Sequence, residues 1–409
     1  MNLLKKISFF ATISVATSLV SFLLLPILTK YLSPEDYGVL SIYSAITRFL
    51  IAIIPLGTIN ILTITLIKDL GLFKKQFKSF LQLSFLNAVL ISLLIFIYTS
   101  VTNSSFFGLP KWLALATPIF ACGVIYYDAF TNISIFRQQK KWFSIFSISK
   151  FSIEIGVSLL LIILLGFKWE GRIVGIFVSL VISLYLGIYY VKKERLYLPI
   201  KDIDKENMFS LVKSGLPLTL MTLSITVMNL SDRLFIEKML SLKEVGVYNI
   251  AATISSIEMI IVTASISVFR PLIYRRLKKG EKDFVLQLTN LVLLSATLLF
   301  LYLTTDFIFD NFINERYSSG RNYVFIIALG FLFWGIYNFY ISYILYFDKH
   351  QINAYISVVG MVLNLFLNYL LIQKIGVLGA AYATAITYII MSLIVFVFSY
   401  KAKKQLMEL

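Results

Sequence analysis

The chain is nearly empty of the residues that build thiol and metal chemistry: one cysteine, Cys122, and one histidine, His350, in 409 residues. A lone cysteine excludes an intrachain disulfide, and a lone histidine leaves no histidine cluster for zinc. No GxxxxGK[ST] phosphate cradle, HExxH, GxSxG or dinucleotide glycine pattern occurs, and nothing points to ATP use. Charged residues are also scarce, at 14% of the total. Long polar loops are missing: the largest stretch expected outside the cell, Thr304 to Tyr323, is about twenty residues, too short for an extracellular domain.

What remains is apolar. Hydrophobic residues make up 59% of the chain and the mean hydropathy is +0.86, far beyond a soluble globular protein. A run of roughly 20 apolar residues crosses the ~30 Å hydrocarbon layer as a helix. Twelve such spans are predicted, at 7–29, 39–67, 80–100, 112–136, 143–166, 173–191, 215–236, 246–269, 284–303, 324–346, 353–372 and 377–400. The first follows a short basic head, Met1 to Lys6, and has no A-x-A cleavage site, so it reads as an uncleaved span rather than a signal peptide.

A net charge of +16 raises the question of nucleic acid, but where the charges fall answers it. Threading the spans from a cytoplasmic start puts 25 Lys and Arg on the inner side and 10 on the outer, with Arg48 and Lys150 inside spans. That asymmetry is the positive-inside pattern of a multi-pass membrane protein with both termini cytoplasmic, and no nucleic-acid partner is needed to account for it.

Lys30 to Ala45, KYLSPEDYGVLSIYSA, returns 208 positions later as Lys238 to Thr253, KMLSLKEVGVYNIAAT, with Lys30, Leu32, Ser33, Gly38 and Val39 recurring as Lys238, Leu240, Ser241, Gly246 and Val247. Each copy is a polar break between two apolar runs. Two like-oriented halves follow, and such repeats are a transporter signature. The expected organisation is an N-terminal six-helix bundle at 1–195, a charged cytoplasmic linker at 196–214 and a C-terminal six-helix bundle at 215–409. Within the long second span, Pro55 and Gly57 predict a kink, as a static bend or a moving hinge.

Asp232-Arg233-Leu234-Phe235-Ile236, then Lys238 to Ser241 and Gly246-Val247-Tyr248, together with Leu32 to Gly38, Leu367 to Ile372 and Gly379 to Thr384, resemble flippases for lipid-linked O-antigen and other bacterial polysaccharide units. These belong to the multidrug/oligosaccharidyl-lipid/polysaccharide exporter superfamily. The resemblance implies an all-α membrane protein with about twelve transmembrane helices in two pseudo-twofold-related six-helix bundles around an alternately opening cavity. It implies a polyprenyl-diphosphate oligosaccharide as substrate and the bacterial inner membrane as location. It also implies membrane lipids, a polysaccharide polymerase and chain-length proteins as partners, and no cofactor beyond a coupling Na+ or H+.

Ionisable residues inside spans are the first functional candidates, because a charge at mid-bilayer costs several kcal/mol unless it faces a cavity or a partner. Arg48, Asp128, Lys150, Glu154 and Glu258 qualify. Lys150 and Glu154, one turn apart, can neutralise each other. Arg48 has no carboxylate within a turn, and its guanidinium suits a diphosphate or sugar acid. Asp128, Glu154 and Glu258 are candidates for ion coupling, since a carboxylate in a span can take up a proton or Na+. Asp232 and Arg233 read as a gate-side salt bridge or a substrate contact. Asn353, Ser357, Gly360, Asn364 and Asn368 fall within about 80° of one helix face, as a packing seam or a sugar path lined by Asn364 and Asn368. Trp334, Tyr337, Tyr340, Tyr343 and Tyr346 could stack on sugars or form an interfacial belt. Two rivals stay open: a multi-span polymerase or glycosyltransferase, which would want acid or base residues in a sizeable loop, and a small-molecule drug exporter, which would favour an acidic cavity.

Overall fold

A computed structural model describes residue 22 and residues 24–196, 204–281 and 283–407. The basic head, most of the first predicted span and linker residues 197–203 lie outside the described residues. The described chain is helical throughout, with no β-strand: α1 (Leu25–Tyr31), α2 (Pro34–Ile53), α3 (Thr58–Lys68), α4 (Leu70–Thr102), α5 (Lys111–Phe136), α6 (Lys140–Leu159, continued by a π-helical turn Leu160–Leu164), α7 (Trp169–Lys193), α8 (Lys205–Met239), α9 (Leu242–Lys279), α10 (Phe284–Phe312), a 3₁₀ turn (Glu315–Gly320), α11 (Arg321–Tyr346), α12 (His350–Ile375) and α13 (Val377–Met407). Among the described residues ten helices are long and apolar enough to cross a membrane, or eleven if α8, bent by 48° near Leu216, counts as one span. Every predicted span after the first coincides with a helix or, for 39–67, a helix pair.

The helices group into two compact units, one formed by Val39–Thr226 and the other by Leu25–Gly38 with Val227 onward. This division differs from the boundaries expected from composition. The chain changes unit inside α2 and inside α8, and the short hairpin Leu25–Gly38 belongs to the second unit. Hydropathy marks where a chain leaves the membrane, whereas contacts decide which bundle a helix end joins. In the first unit α6 packs on α7, and α4, α5 and α7 pack together; in the second, α9, α10 and α13 surround α11, while α12 lies along α13.

The second span does not merely kink at Pro55: it breaks. Pro55 lacks an N–H, so the α-helical ladder stops at Ile53, and Leu56 and Gly57 take left-handed backbone angles, φ 48° and 69°, before α3 begins. A loose carbonyl inside a membrane needs a donor. Asn87 of α4 supplies one, its Nδ2 donating to the Ile54 carbonyl at 2.9 Å, and the Thr58 hydroxyl donates to the Pro55 carbonyl at 2.5 Å.

The repeated segment forms the same device twice. In the first copy the Ser33 hydroxyl accepts the Asp36 N–H at 3.1 Å while the Asp36 carboxylate accepts the Ser33 N–H at 3.0 Å, a capping box at the start of α2. In the second, the Ser241 hydroxyl accepts the Glu244 N–H at 3.3 Å at the start of α9. The two helix starts then cross at their glycines. A Cβ on Gly38 would strike the Leu242 carbonyl, and one on Gly246 would strike the Pro34 carbonyl, the residue equivalent to Leu242 in the other copy. The sequence repeat is thus a reciprocal backbone contact that tolerates no side chain at its centre. Tyr317 seals it, its hydroxyl donating to the Leu32 carbonyl at 3.1 Å.

Gly246→Val must push these backbones apart. Overpacking of this kind costs roughly 1–3 kcal/mol, so the variant should lose heat resistance in detergent, read as a lower midpoint by size-exclusion after heating. Gly156→Ala, on ordinary helical backbone with nothing within 4 Å of the added Cβ, should leave the midpoint unchanged and so isolates the effect of the crossing.

Candidate functional site

Four of the five intramembrane charges predicted from sequence come together in the first unit. Lys150 Nζ lies 3.2 Å from Glu154 Oε2, as their spacing of one turn on α6 requires. Asp128, on α5, lies in the field of Lys150 first and of Arg48 second. The ring of Tyr127, next to Asp128, sits 5.1 Å from Lys150 Nζ in a cation–π contact. Arg48 is exposed on α2, one turn and a residue beyond the buried Tyr43.

A fifth member escaped the sequence reading. Arg172, in the first turn of α7, places NH2 2.6 Å from Glu154 Oε1 and donates from NH1 to the Ser158 hydroxyl at 3.2 Å. Hydropathy set the start of that span at residue 173, which left Arg172 counted among outer loop charges. The signal that could have found it was Glu154 itself, a carboxylate with one cation on its own helix and a second oxygen to satisfy. Tyr43 lies within the field of Glu154 and Arg172, which ties α2 to the same cluster. Among the described residues, Arg48, Lys150 and Arg172 thus gather near Asp128 and Glu154 on α2, α5, α6 and α7.

The second unit handles polarity differently. The Tyr248 hydroxyl donates to Asp232 Oδ2 at 2.6 Å, and Arg233 NH1 donates to Asp232 Oδ1 at 2.9 Å, with Asp232 only 4% exposed. Arg233 is held further by Asn249 Oδ1 at 3.3 Å and the Asn229 carbonyl at 3.1 Å. Asn364 and Asn368 are buried in a seam joining α8, α12 and α13. Ser231 donates to Asn364 Oδ1 at 3.1 Å, Asn368 Nδ2 donates to the same oxygen at 3.0 Å, and Asn364 Nδ2 reaches the Thr387 hydroxyl at 3.5 Å. On the helix face predicted as seam or sugar path, Asn364 carries the interhelical bonds, while Asn368 bonds to Asn364 on its own helix and its Oδ1 has no hydrogen-bond partner among the described residues. The aromatics of α11 also pack inward: Trp334 stacks on Tyr337 at 5.1 Å, and Tyr337 and Tyr343 are almost fully buried.

Glu258 stands apart. It has no exposed surface, and neither carboxylate oxygen has a hydrogen-bond partner among the described residues. Among the described residues, no hydrogen bond from this carboxylate ties α9 to another helix. No group of three or more His, Cys, Asp or Glu able to hold a metal occurs among the described residues.

Residues 3–277 match the family model of polysaccharide biosynthesis proteins. The chain belongs to that family. A curated relative of this polysaccharide biosynthesis protein is the Lsg locus putative protein 1 of Haemophilus influenzae, 22% identical over 362 residues that cover 85% of this chain and 86% of the relative. Among solved structures, the polysaccharide biosynthesis protein resembles an inward-facing multidrug resistance MATE transporter of the MOP superfamily, with TM-score 0.74 at 13% identity over 97% and 96% of the two chains. It also resembles a MOP superfamily transporter from Pyrococcus furiosus described as having a binding pocket of reverse polarity, with TM-score 0.60 at 14% identity over 98% and 95%. The fold is therefore the one seen in MOP superfamily transporters, and the protein is a multi-pass membrane protein.

The Asp232 centre yields a stability prediction. Asp232→Ala leaves the Arg233 charge and the Tyr248 hydroxyl buried without their acceptor, a loss of roughly 3–5 kcal/mol for a buried pair broken on one side. Asp232→Ala with Arg233→Ala should be less damaged than Asp232→Ala alone, measured by a thermal-stability double-mutant cycle in detergent.

Proposed function

We propose that this protein is a flippase for polyprenyl-diphosphate-linked oligosaccharide, an O-antigen or capsule repeat unit, carrying it from the inner to the outer leaflet of the bacterial inner membrane by alternating access. The observation that carries this reading is the fork of Lys150 and Arg172 on the two oxygens of Glu154 within membrane-spanning helices. Charged side chains in an apolar bundle are kept there for a partner, a cavity or a ligand, since an unmatched charge in the bilayer costs several kcal/mol. Guanidinium and ammonium groups suit the oxygens of a diphosphate or a sugar acid. The family match to polysaccharide biosynthesis supports a glycan cargo, and the superfamily fold supports movement rather than synthesis.

Energy for the cycle comes, in this reading, from an H+ or Na+ gradient, with Asp128 and Glu258 as the coupling groups. Glu258 fits because its carboxylate is buried and uncommitted, the state of a group that loads and releases an ion. Asn364, Asn368 and Arg233 line or support the glycan path only to the extent that the hydrogen bonds they now make open during the cycle. Export of small cationic drugs asks for an acidic interior. The Lys150 and Arg172 fork in the first unit disfavours it.

Arg48→Ala should insert at wild-type levels yet fail to deliver lipid-linked glycan outward. The test is complementation of a flippase-deficient strain, scored as surface polysaccharide, with membrane abundance measured in parallel. Full complementation by Arg48→Ala removes Arg48 from the mechanism.

A further inference from the structure

Glu154 already occupies an anion's place between two cations. Its Oε1 accepts from Arg172 at 2.6 Å and its Oε2 from Lys150 at 3.2 Å, one cation on each oxygen, which is how a carboxylate or phosphate sits in a fork. Both cations have a second support that does not involve Glu154: Arg172 donates to the Ser158 hydroxyl at 3.2 Å, and Lys150 lies 5.1 Å from the Tyr127 ring centre. Ser158 is itself buried, at 1% exposure. The fork is thus held from outside as well as from within, and it keeps its shape if the carboxylate leaves. The side chains of Lys150, Glu154 and Arg172 retain 24%, 16% and 20% of their surface, enough for another oxyanion to reach them.

We propose that Glu154 is a resident stand-in for the substrate's oxyanion: phosphate or carboxylate oxygens of the cargo displace it from Lys150 and Arg172, and it reclaims both cations when the cargo leaves. This rests on the anionic-glycolipid reading above and adds the residue that sets its affinity. Two physical requirements meet in one side chain. An empty fork would leave two cations unneutralised inside the membrane, which is costly. A fork with no competitor would hold an anionic cargo too tightly to release it, and transport needs release as much as binding. Glu154 supplies the neutralisation in the empty state and the competition in the loaded one.

The full-length protein, in nanodiscs at fixed ionic strength, is titrated with farnesyl diphosphate and, in a separate arm, with methyl glucuronide. The two probes separate a phosphate source of the oxyanion from a sugar-acid source. Glu154→Gln keeps the shape but removes the competing charge, and should bind the responding probe about tenfold more tightly than wild type. Glu154→Asp should stay near wild type, and Lys150→Gln with Arg172→Gln should lose binding. In the wild-type protein, infrared difference spectra on adding the probe should show a carboxylate band shift, a readout that needs no variant to fold. Unchanged or weaker binding by Glu154→Gln, or a silent carboxylate region, overturns the stand-in role. If the Lys150→Gln, Arg172→Gln protein still loses binding in that case, the anionic-substrate reading survives. Absence of binding to either probe by every form overturns both.

Discussion

A charged side chain inside hydrocarbon must be matched by an opposite charge, a ligand or a cavity, and this protein is arranged around meeting that demand in two different ways. The first unit concentrates its ions: Arg48, Asp128, Lys150, Glu154 and Arg172 are drawn together from four helices. The second unit keeps most of its polarity in closed networks, with Asp232, Arg233 and Tyr248 satisfying one another, and leaves Glu258 as a buried carboxyl with no hydrogen-bond partner among the described residues. In the proposed reading the first unit holds the anion with Asp128 beside it as one coupling group, and Glu258 of the second unit takes up a small cation.

The hairpin repeat explains how such a bundle is tied together. Gly38 and Gly246 give backbone-to-backbone contact where two helix starts cross, and each start is capped by its own serine. Because the chain changes unit just after Gly38, the crossing fixes the start of α2 within the second unit while the rest of that helix serves the first. Farther along, the break at Pro55 gives the same span a second discontinuity, stabilised by Asn87 rather than left as a loose carbonyl. A span with a fixed start and a broken middle has fewer ways to move than a free helix.

Much of this was legible in the residues. Apolar runs gave the spans after the first, and the repeat marked two like polar breaks without revealing that their glycines cross. The four intramembrane ions of the first unit could be named one by one, because a charge in a hydrocarbon-length run is conspicuous. Their assembly could not, because α2, α5, α6 and α7 are brought together by packing that no window of sequence reports. Arg172 was hidden for a related reason: it sits where a hydropathy window ends, and only the second oxygen of Glu154 shows that it belongs inside. The unit boundaries were missed because two continuous helices are shared between units, and composition does not change where contacts do.

The most direct test is transport itself. Purified protein in proteoliposomes, given a fluorescent prenyl-diphosphate glycan in one leaflet, should move it to the other leaflet at a rate well above that of protein-free vesicles, and excess unlabelled prenyl diphosphate should slow the transfer. Folded protein that leaves the label where it began, while exporting a small organic cation from the same vesicles, would contradict the account.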